Sequence, residues 1–451
     1  MTTTPGLSDH LATFAADLQW TDIPEPARQG ARRILGNAIG LAIGASDHDS
    51  VQRTIGALDD LGLHGHSAVL GREESLPVAW AALVTGIAIH VEDFDDTHLR
   101  TVLHPGAPIV AAVLAVAQQE RSTGQQVLTA IVAGTEVSAR VGNGLGAAHF
   151  NRGWHVTGTM GHLGAVVAAG HLLGLTAAQM THAISVASTQ AQGHTEQLGS
   201  MTKALHPGKA AYDGVEAAYL ARDGFTGPAA PIEGRRGMAA LMSAAADLGE
   251  IVADLGSVWE TAQVAFKPYA CGIVSHPVID AGVGLRRRGI EADQLVSVAV
   301  VVNPIVLDVM GVADPADGLL SKFSVYHCFA VGLMDGAAGP VQYSDARARD
   351  GATAGVRKKV TVTLDASMPR DACRVEVVLV DGSSLVEEVV HAVGSVDSPL
   401  TGHQLRGKFL TVAEPVIGDA AAELWDVLER IDTAADLEGV FALARVPVTT
   451  R

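Results

Sequence analysis

Four short segments of the chain combine acidic, imidazole and ammonium side chains with the turn-forming residues Gly and Pro. Each segment places a His or Lys where the backbone turns, so that its side chain can point into a cleft, and the rest of the chain is rich in Ala, Gly, Val and Leu. Polar groups concentrated in this way indicate a proton-transfer site. The segments are DFDDTH (93–98) with LHPGAP (103–108) after it, GWHVTGT (153–159), SMTKALHPGKA (200–210) and KPYACGIVSHP (267–277).

The first segment crowds three carboxylates, Asp93, Asp95 and Asp96, next to Thr97. Three neighbouring carboxylates repel one another, which raises the pKa of at least one of them unless cations or backbone N–H groups compensate. The alternative is an ordinary helix N-terminus, where acidic residues favour the helix dipole. His104 follows in an HPG turn, and a helix predicted to begin near Pro108 would offer N–H groups to a carboxylate.

The third and fourth segments each contribute a lysine, Lys203 in the turn-like SMTKALHPG and Lys267 in front of Pro268. Two ammonium groups sharing a cleft lower each other's pKa, so one of them becomes a plausible base. Equally, both could hold substrate carboxylates as fixed charges, or both could be ordinary surface lysines. His155 is a further acid–base candidate, although a hydrogen-bonded loop histidine explains the GWHVTGT segment equally well.

Several classes of chemistry lack any signal in the chain. It has no GxGxxG after a strand, no Walker A sequence, no GxSxG and no HExxH, and its three cysteines are far apart. We therefore predict acid–base chemistry without a metal or an organic cofactor. A small polycarboxylate is the substrate class that fits, because its charges need cations and its α-proton needs a base.

The overall charge of the chain indicates which kinds of partner it can attract. Its formal net charge is -18, so neither nucleic acid nor an anionic membrane is expected as a main partner. No basic start followed by an apolar core opens the sequence, and the longest apolar run is too short to span a bilayer. We therefore expect a cytoplasmic protein.

The elements that must position these groups change character after Pro268. Before it, apolar residues recur at three- and four-residue spacing, as in helices, and Thr176 with Gln179 forms a capping-box pattern. After it, runs rich in Val and Thr indicate strands, and Asp381-Gly382 predicts a hairpin. The fold class predicted is mainly α with a smaller α+β domain.

The predicted domains are a large helical domain at 1–266, an α+β domain at 267–395, and C-terminal helices at 396–451 that pack back on the first domain. No internal repeat or long low-complexity linker separates them.

Taken together and in this order, the four segments resemble the MmgE/PrpD family, which includes 2-methylcitrate dehydratase, cis-aconitate decarboxylase and iminodisuccinate epimerase. The blocks GFTGP (224–228) and KFSVYHC (322–328) extend the resemblance over nearly the whole chain. It implies a helical first domain, a smaller lid domain, a homodimer, and no metal or organic cofactor.

The resemblance to the decarboxylase branch also implies a set of site residues. The catalytic set is Asp93, His104, His155, Lys203 and Lys267, and the substrate-binding set is Thr97 and Tyr326 together with the same two lysines. From the residues alone, His206 of the SMTKALHPGKA segment is a further substrate-binding candidate. The decarboxylases usually show HPS where this chain has His104-Pro105-Gly106. That difference leaves the substrate open.

Three reactions could share one first step on such a site. We expect a lyase, with dehydration of a 2-methylcitrate-like hydroxy acid as the preferred reaction, in which a neutral His takes an α-proton and the other His or Asp93 acts as the acid. An iminodisuccinate-type epimerase or a cis-aconitate-type decarboxylase is the alternative. A non-catalytic polycarboxylate-binding protein is the alternative of another class.

Overall fold

Residues 6–446 are described by the computed structural model of the chain. The outermost residues of the predicted domains, 1–5 and 447–451, lie outside that range. Within it, no helix combines the length and the apolar character needed to cross a membrane.

The first part of the chain is built almost entirely from helices. Its four strands are short and form two separate two-stranded pairs, β1 with β2 and β3 with β4. The helices are α1 (Leu7–Asp17), α2 (Glu25–Gly44), α3 (Asp49–Asp60), α4 (Val78–Val91), α5 (Gly106–Glu120), α6 (Gly124–Asn151), α7 (Val156–Leu172), α8 (Ala177–Gln190), α9 (Met201–Arg222), α10 (Met238–Met242) and α11 (Leu248–Val252). The strands are β1 (Ser67–Ala68), β2 (Ser75–Leu76), β3 (Asp96–His98) and β4 (Val264–Phe266).

Small residues let the central helices pack with their backbones nearly touching. A Cβ atom added to Gly86 of α4 would lie 2.8 Å from the Cα of Gly208 in α9. A Cβ on Gly134 of α6 would lie 2.6 Å from the carbonyl oxygen of Gly164 in α7. Neither position can take a larger residue without moving a helix, so these glycines fix how α4, α6, α7 and α9 approach one another.

The following part of the chain is mixed. Its four-stranded sheet has the order β6-β5-β7-β8, with β5 and β6 parallel and the other two pairs antiparallel, and α12 packs on β7 and β8. The elements are α12 (His276–Arg287), β5 (Leu295–Val302), α13 (Ile305–Met310), α14 (Gly318–Ser321), α15 (Val325–Asp335), α16 (Asp345–Ala348), α17 (Gly351–Arg357), β6 (Val360–Leu364), β7 (Cys373–Leu379) and β8 (Ser384–Val389).

Three helices close the described chain and return to the first part: α18 (Gly402–Ile417), α19 (Ala420–Leu428) and α20 (Glu438–Leu443). The ring of Phe409 in α18 packs directly over Gly40 of α2, where an added Cβ would lie 2.6 Å from the ring. Phe409 also contacts Trp425 of α19, with 5.2 Å between ring centroids. The domain boundaries at 266/267 and 395/396 stay a prediction.

The predicted fold class is confirmed, and so are two of its local signals. Thr176 caps α8 and shares a capping box with Gln179, and Asp381-Gly382 connects β7 to β8 with Gly382 at a φ of 84°. The alternative that the three aspartates open a helix is wrong, because Asp96 begins the strand β3 instead.

Two local expectations near the site need correction. The helix expected near Pro108 begins two residues earlier, at Gly106. The segment around Lys203 is not a turn, because it lies inside α9, which continues through Pro207. That proline sits in the second turn of the helix, so the only helical bond it removes is the one from its own nitrogen to the Lys203 carbonyl.

Candidate active site

The strand pair β3–β4 brings the first and fourth motif segments together. Asp96 pairs with Phe266, and Thr97 pairs with Ala265, in antiparallel register. Lys267 directly follows β4, so its side chain emerges beside the acidic cluster at the end of α4. Asp93 takes a left-handed backbone conformation there, with a φ of 50°, which turns the chain sharply out of α4.

Both candidate lysines converge on the Asp93 carboxylate. The Nζ of Lys203, in α9, donates to Asp93 Oδ1 at 2.6 Å, and the Nζ of Lys267 donates to the same oxygen at 2.9 Å. Lys267 also donates to the Asp93 carbonyl at 3.1 Å. All three residues are buried, and Lys267 is completely so. The alternative that both are ordinary surface lysines is therefore wrong. A buried ammonium group is tolerated only with hydrogen-bonding or oppositely charged partners such as Asp93.

This arrangement removes one role that the sequence suggested for Asp93. Burial by itself raises the pKa of a carboxyl group, but the charges of Lys203 and Lys267 outweigh it and hold the pKa of Asp93 well below its usual range. Asp93 is therefore ionised at neutral pH and is not the general acid considered above. Burial lowers the pKa of Lys203, whereas the nearby aspartates outweigh burial and raise the pKa of Lys267.

Asp95 joins two histidines. Its Oδ2 lies 2.6 Å from His90 Nδ1, and its Oδ1 lies 3.2 Å from His104 Nδ1. Burial favours the neutral carboxyl, but the neighbouring imidazoles and Lys267 outweigh it and keep the pKa of Asp95 well below its usual value. An ionised carboxylate only accepts hydrogen bonds, so His90 carries its proton on Nδ1.

The same reasoning fixes the tautomer of His104. Its Nδ1 lies 3.0 Å from the Asp96 carbonyl, 3.2 Å from Asp95 Oδ1 and 3.2 Å from Thr97 Oγ1. The Asp96 carbonyl and the Asp95 carboxylate can only accept and would repel a lone pair on Nδ1, so Nδ1 carries the proton. The Nε2 lone pair is left without a partner among the described residues. Because burial lowers the pKa of His104, the free imidazole is neutral and Nε2 is a base.

Asp96 is the carboxyl whose pKa is raised, as the crowding of the three aspartates predicts for one of them. Burial and the charge of Asp95 raise the pKa of Asp96 to about 7. Its Oδ2 accepts from the Gly106 N–H at 2.9 Å, at the start of α5, while Oδ1 is buried without a partner. The helix start thus binds a carboxylate, and Gly is required there because a Cβ on Gly106 would overlap Asp96 Oδ1.

The second candidate imidazole, His155, caps the start of α7 and faces His206 of α9. Their Nδ1 atoms are 2.9 Å apart, so one ring donates to the other. Burial lowers the pKa of His155 well below 6.5 and that of His206 to about 4, so both are neutral in the free protein. His206 therefore contacts the candidate acid–base residue directly, in addition to its predicted role in substrate binding.

The structure thus brings most of the predicted residues into one buried cluster, whose members we call the site cluster: Asp93, Asp95, Asp96, Thr97, His90, His104, His155, His206, Lys203 and Lys267. Their catalytic and binding roles stay predictions. Tyr326, at the start of α15, is partly buried, and no hydrogen bond joins it to the site cluster among the described residues. Its predicted role in substrate binding also stays untested.

Sequence reasoning missed His90. It occupies the last turn of an almost wholly apolar helix, α4, where a core histidine would be the ordinary reading. Its ring lies 5.0 Å from that of His104 and 5.7 Å from that of His155, centroid to centroid, so it sits between the two candidate acid–base groups. The signal that could have identified His90 is its spacing: it precedes Asp95 by five residues, and a turn at Asp93 brings the two side chains together.

His90, Asp95 and His104 are also close enough together to be tested as a metal site. They do not fit that role well. The Nδ1 atoms of His90 and His104, which are the ring nitrogens beside Asp95, both carry protons. The ammonium of Lys267 lies 3.6 Å from Asp95 Oδ1, where it would repel a cation. The prediction that the site works without a metal is kept, and chelation tests it below.

Comparison with known proteins agrees with the resemblance that the motifs suggested. Residues 9–250 match the MmgE/PrpD N-terminal domain, and residues 269–433 match the MmgE/PrpD C-terminal domain. A cis-aconitate decarboxylase of Aspergillus terreus is 26% identical, over 98% of this chain and 96% of its own length. The cis-aconitate decarboxylase of Mus musculus is 28% identical over 84% of this chain and 80% of its own, and that of Homo sapiens is 25% identical over 84% and 82%.

Proposed function

We propose that this chain, which belongs to the MmgE/PrpD family and is an enzyme of the lyase type, decarboxylates a small unsaturated tricarboxylate such as cis-aconitate. The proposal replaces the dehydration of 2-methylcitrate as the preferred reaction. The three relatives described above carry the name of a decarboxylase, and none of them that of a dehydratase. Dehydration and epimerisation are kept as outcomes of the test.

The observation that carries the proposal is the orientation of His104 beside the paired lysines. Its Nδ1–H donates to the Asp96 carbonyl, with Asp95 Oδ1 3.2 Å from the same nitrogen, and its Nε2 is left free to exchange a proton with a ligand. Lys203 and Lys267 bind Asp93, and the Lys267 Nζ lies 3.6 Å from Asp95 Oδ1, the oxygen that faces His104. A proton donor and two ammonium groups within one buried cluster are what a carbanion flanked by carboxylates requires.

The charge of the site cluster explains how a neutral histidine becomes the acid. In the free protein the positive charges of Lys203 and Lys267 equal the negative charges of Asp93 and Asp95, so these four groups carry no net charge before the substrate binds. A bound polycarboxylate adds negative charge beside His104 and therefore raises the pKa of its imidazole. Binding then brings a proton onto Nε2, in position for transfer.

The proposed reaction proceeds in two steps. The bond between the methylene carbon and its carboxylate breaks, and its electron pair forms a new C=C bond as CO2 leaves. The original double bond shifts its electrons to the carbon α to a second carboxylate, where Lys203 or Lys267 stabilises the developing charge. Protonation of that carbon by His104 gives an itaconate-like dicarboxylate.

Entry of the substrate requires some opening of the structure. His104, Lys203 and His155 are only 9%, 7% and 5% exposed. A closed site excludes water, which strengthens the electrostatic stabilisation of the carbanion and prevents side reactions. The segment from Lys267 onward connects directly to the predicted lid domain, so movement of that domain would open the cluster.

Proton NMR in D2O tests the proposal, with cis-aconitate as the substrate and EDTA present. Two vinyl signals, one deuteron in the remaining methylene and released CO2 are expected. His104→Gln should abolish them, while the matched change at the exposed His64, His64→Gln, should not. Vinyl product from 2-methylcitrate or citrate instead would mean dehydration, and deuterium uptake with inversion on iminodisuccinate would mean epimerisation.

Ligand binding without any of these reactions would identify a non-catalytic binder and refute the proposal. Loss of activity on chelation, restored by a divalent ion, would overturn the metal-free chemistry alone.

A further inference from the structure

A third lysine, Lys408, reaches the site cluster from the C-terminal helix α18. Its Nζ donates to the Phe94 carbonyl at 2.5 Å, to the Lys267 carbonyl at 2.8 Å and to Asn37 Oδ1 at 2.7 Å. These three bonds use all three protons of the ammonium group. Two of the acceptors are main-chain atoms of the two segments that carry the buried ion pair between Asp93 and Lys267.

The setting of Lys408 differs from that of a surface lysine. All three acceptors are uncharged, and no carboxylate of the described residues lies within salt-bridge distance of its Nζ. The Phe94 ring lies 4.0 Å from the ammonium. The titratable groups that face it are Asp95, Asp96 and Lys267.

The position of the bonded carbonyls gives this lysine a specific effect. The Phe94 carbonyl belongs to the peptide that joins Phe94 to Asp95, and the Lys267 carbonyl belongs to the peptide that enters Pro268. Holding both oxygens on one ammonium fixes the distance between the backbone of the acidic segment and that of Lys267. The β3–β4 ladder ends at the Asp96–Phe266 pair, so the Phe94 and Lys267 carbonyls lie just beyond its last paired residues.

We propose that Lys408 is a positioning residue of the site cluster, which holds the acidic segment and the Lys267 segment together so that Asp93, Asp95 and Lys267 keep their geometry. The effect on turnover rests on the proposed function, whereas the effect on the two segments does not. The C-terminal helices thereby contribute to the site although they carry none of its motifs.

The test compares Lys408→Met with Arg406→Met in the full chain. Both variants remove a cation from α18 and keep an unbranched side chain, but Arg406 only faces Asp426 at the surface, 3.9 Å away. Hydrogen exchange read by mass spectrometry is measured without substrate. Lys408→Met should exchange at least about 10-fold faster in peptides covering 93–98 and 264–268, while the rest of the chain and the Arg406 variant match wild type.

Turnover of cis-aconitate, where wild type shows it, gives the second measurement. The kcat of Lys408→Met should fall at least about 10-fold with KM within about threefold, because the residue acts on the reacting groups and not on the binding of carboxylates. Unchanged exchange in the two segments, unchanged kcat, or faster exchange spread evenly over the whole chain would each overturn the proposal. If wild type turns over no substrate, the proposed function fails, and local exchange alone decides the role of Lys408.

Discussion

Replacing Asp95 by Asn tests the proposed chemistry at the residue that orients it. The carboxylate accepts a hydrogen bond from His90 Nδ1 and lies within 3.2 Å of His104 Nδ1 and 3.6 Å of Lys267 Nζ. Asparagine has almost the same shape but only one accepting oxygen. Its NH2 group must face a donor on one side, either an imidazole N–H or an ammonium.

Two effects of the Asp95→Asn change can be given magnitudes. The contact of the Asp95 carboxylate with His104 Nδ1 is charge-assisted, and contacts of this kind contribute about 1.5–3 kcal/mol, so its loss should lower kcat by about 10- to 150-fold. The carboxylate also raises the pKa of His104 against the effect of burial. An opposite charge at this distance shifts a pKa by about 1–3 units, so that pKa should fall by at least about 1 unit.

The assay is the dependence of kcat on pH for both proteins. In the proposed decarboxylation His104 must be protonated in the complex, so kcat falls as pH rises through its pKa. In Asp95→Asn that alkaline limb should move to lower pH. A titration of the His104 ring by NMR in the free protein checks the same shift without any substrate.

A surface pair provides the matched control. His391 Nδ1 lies 2.9 Å from Asp371 Oδ2, and the hydrogen bond to this carboxylate raises the pKa of His391. Asp371→Asn should lower that pKa and leave turnover unchanged. An alkaline limb of Asp95→Asn that stays in place or moves to higher pH would refute the reasoning, as would a kcat within twofold of wild type.

Three further predictions concern the groups around Asp95. Lys267→Met should lower the free energy of unfolding by about 3–5 kcal/mol in a denaturant titration, because it leaves the buried Asp93 carboxylate with one partner fewer. Lys203→Met should lower that free energy less, because Lys203 is slightly exposed. Asp96 has a folded-state pKa raised to about 7, so its own contribution to stability is lost as pH rises from about 4 to about 7. Thermal melts should therefore show wild type losing stability relative to Asp96→Asn over that range. Gly106→Ala should lower kcat at least about 10-fold, because its Cβ overlaps Asp96 Oδ1, and an unchanged kcat would show that Asp96 can move freely.

The residue types of the site could be predicted from the sequence because they lie in turn-rich motifs. Asp93, His104 and Lys203 each stand beside Pro or a second polar residue, and His155 lies two residues after Gly153. The structure places all four in one cluster. Their electrostatic states were not predictable in the same way. Asp93 carries a lowered pKa and Asp96 a raised one, although both belong to the same motif, because only Asp93 meets the two ammonium groups.

The fold class was predictable from the periodicity of apolar residues. Two features that position the site, the β3–β4 pair and the helix around Lys203, were not. The β3–β4 pair has only three residues in each strand, too few for alternation to be recognised, yet it delivers Lys267 to the acidic segment. Pro207 indicated a turn, whereas backbone contact between Gly86 and Gly208 stabilises the helix that carries Lys203. Both the strand pairing and the helical conformation at Pro207 depend on tertiary packing, which the local sequence does not show.

Residues without a motif can be assigned to a site only once long-range packing is known. His90 has an ordinary apolar helix around it, and Lys408 lies on a helix whose sequence pattern is that of a surface helix. Lys408 binds a carbonyl 314 residues away, and the His90 ring lies beside that of His155, although its hydrogen bond is to Asp95, five residues on. An ammonium that binds only uncharged oxygens loses hydration without gaining an ion pair. In the proposed role this ammonium binds the carbonyls of both Phe94 and Lys267, so we expect the proposed reaction to depend on the geometry of that junction.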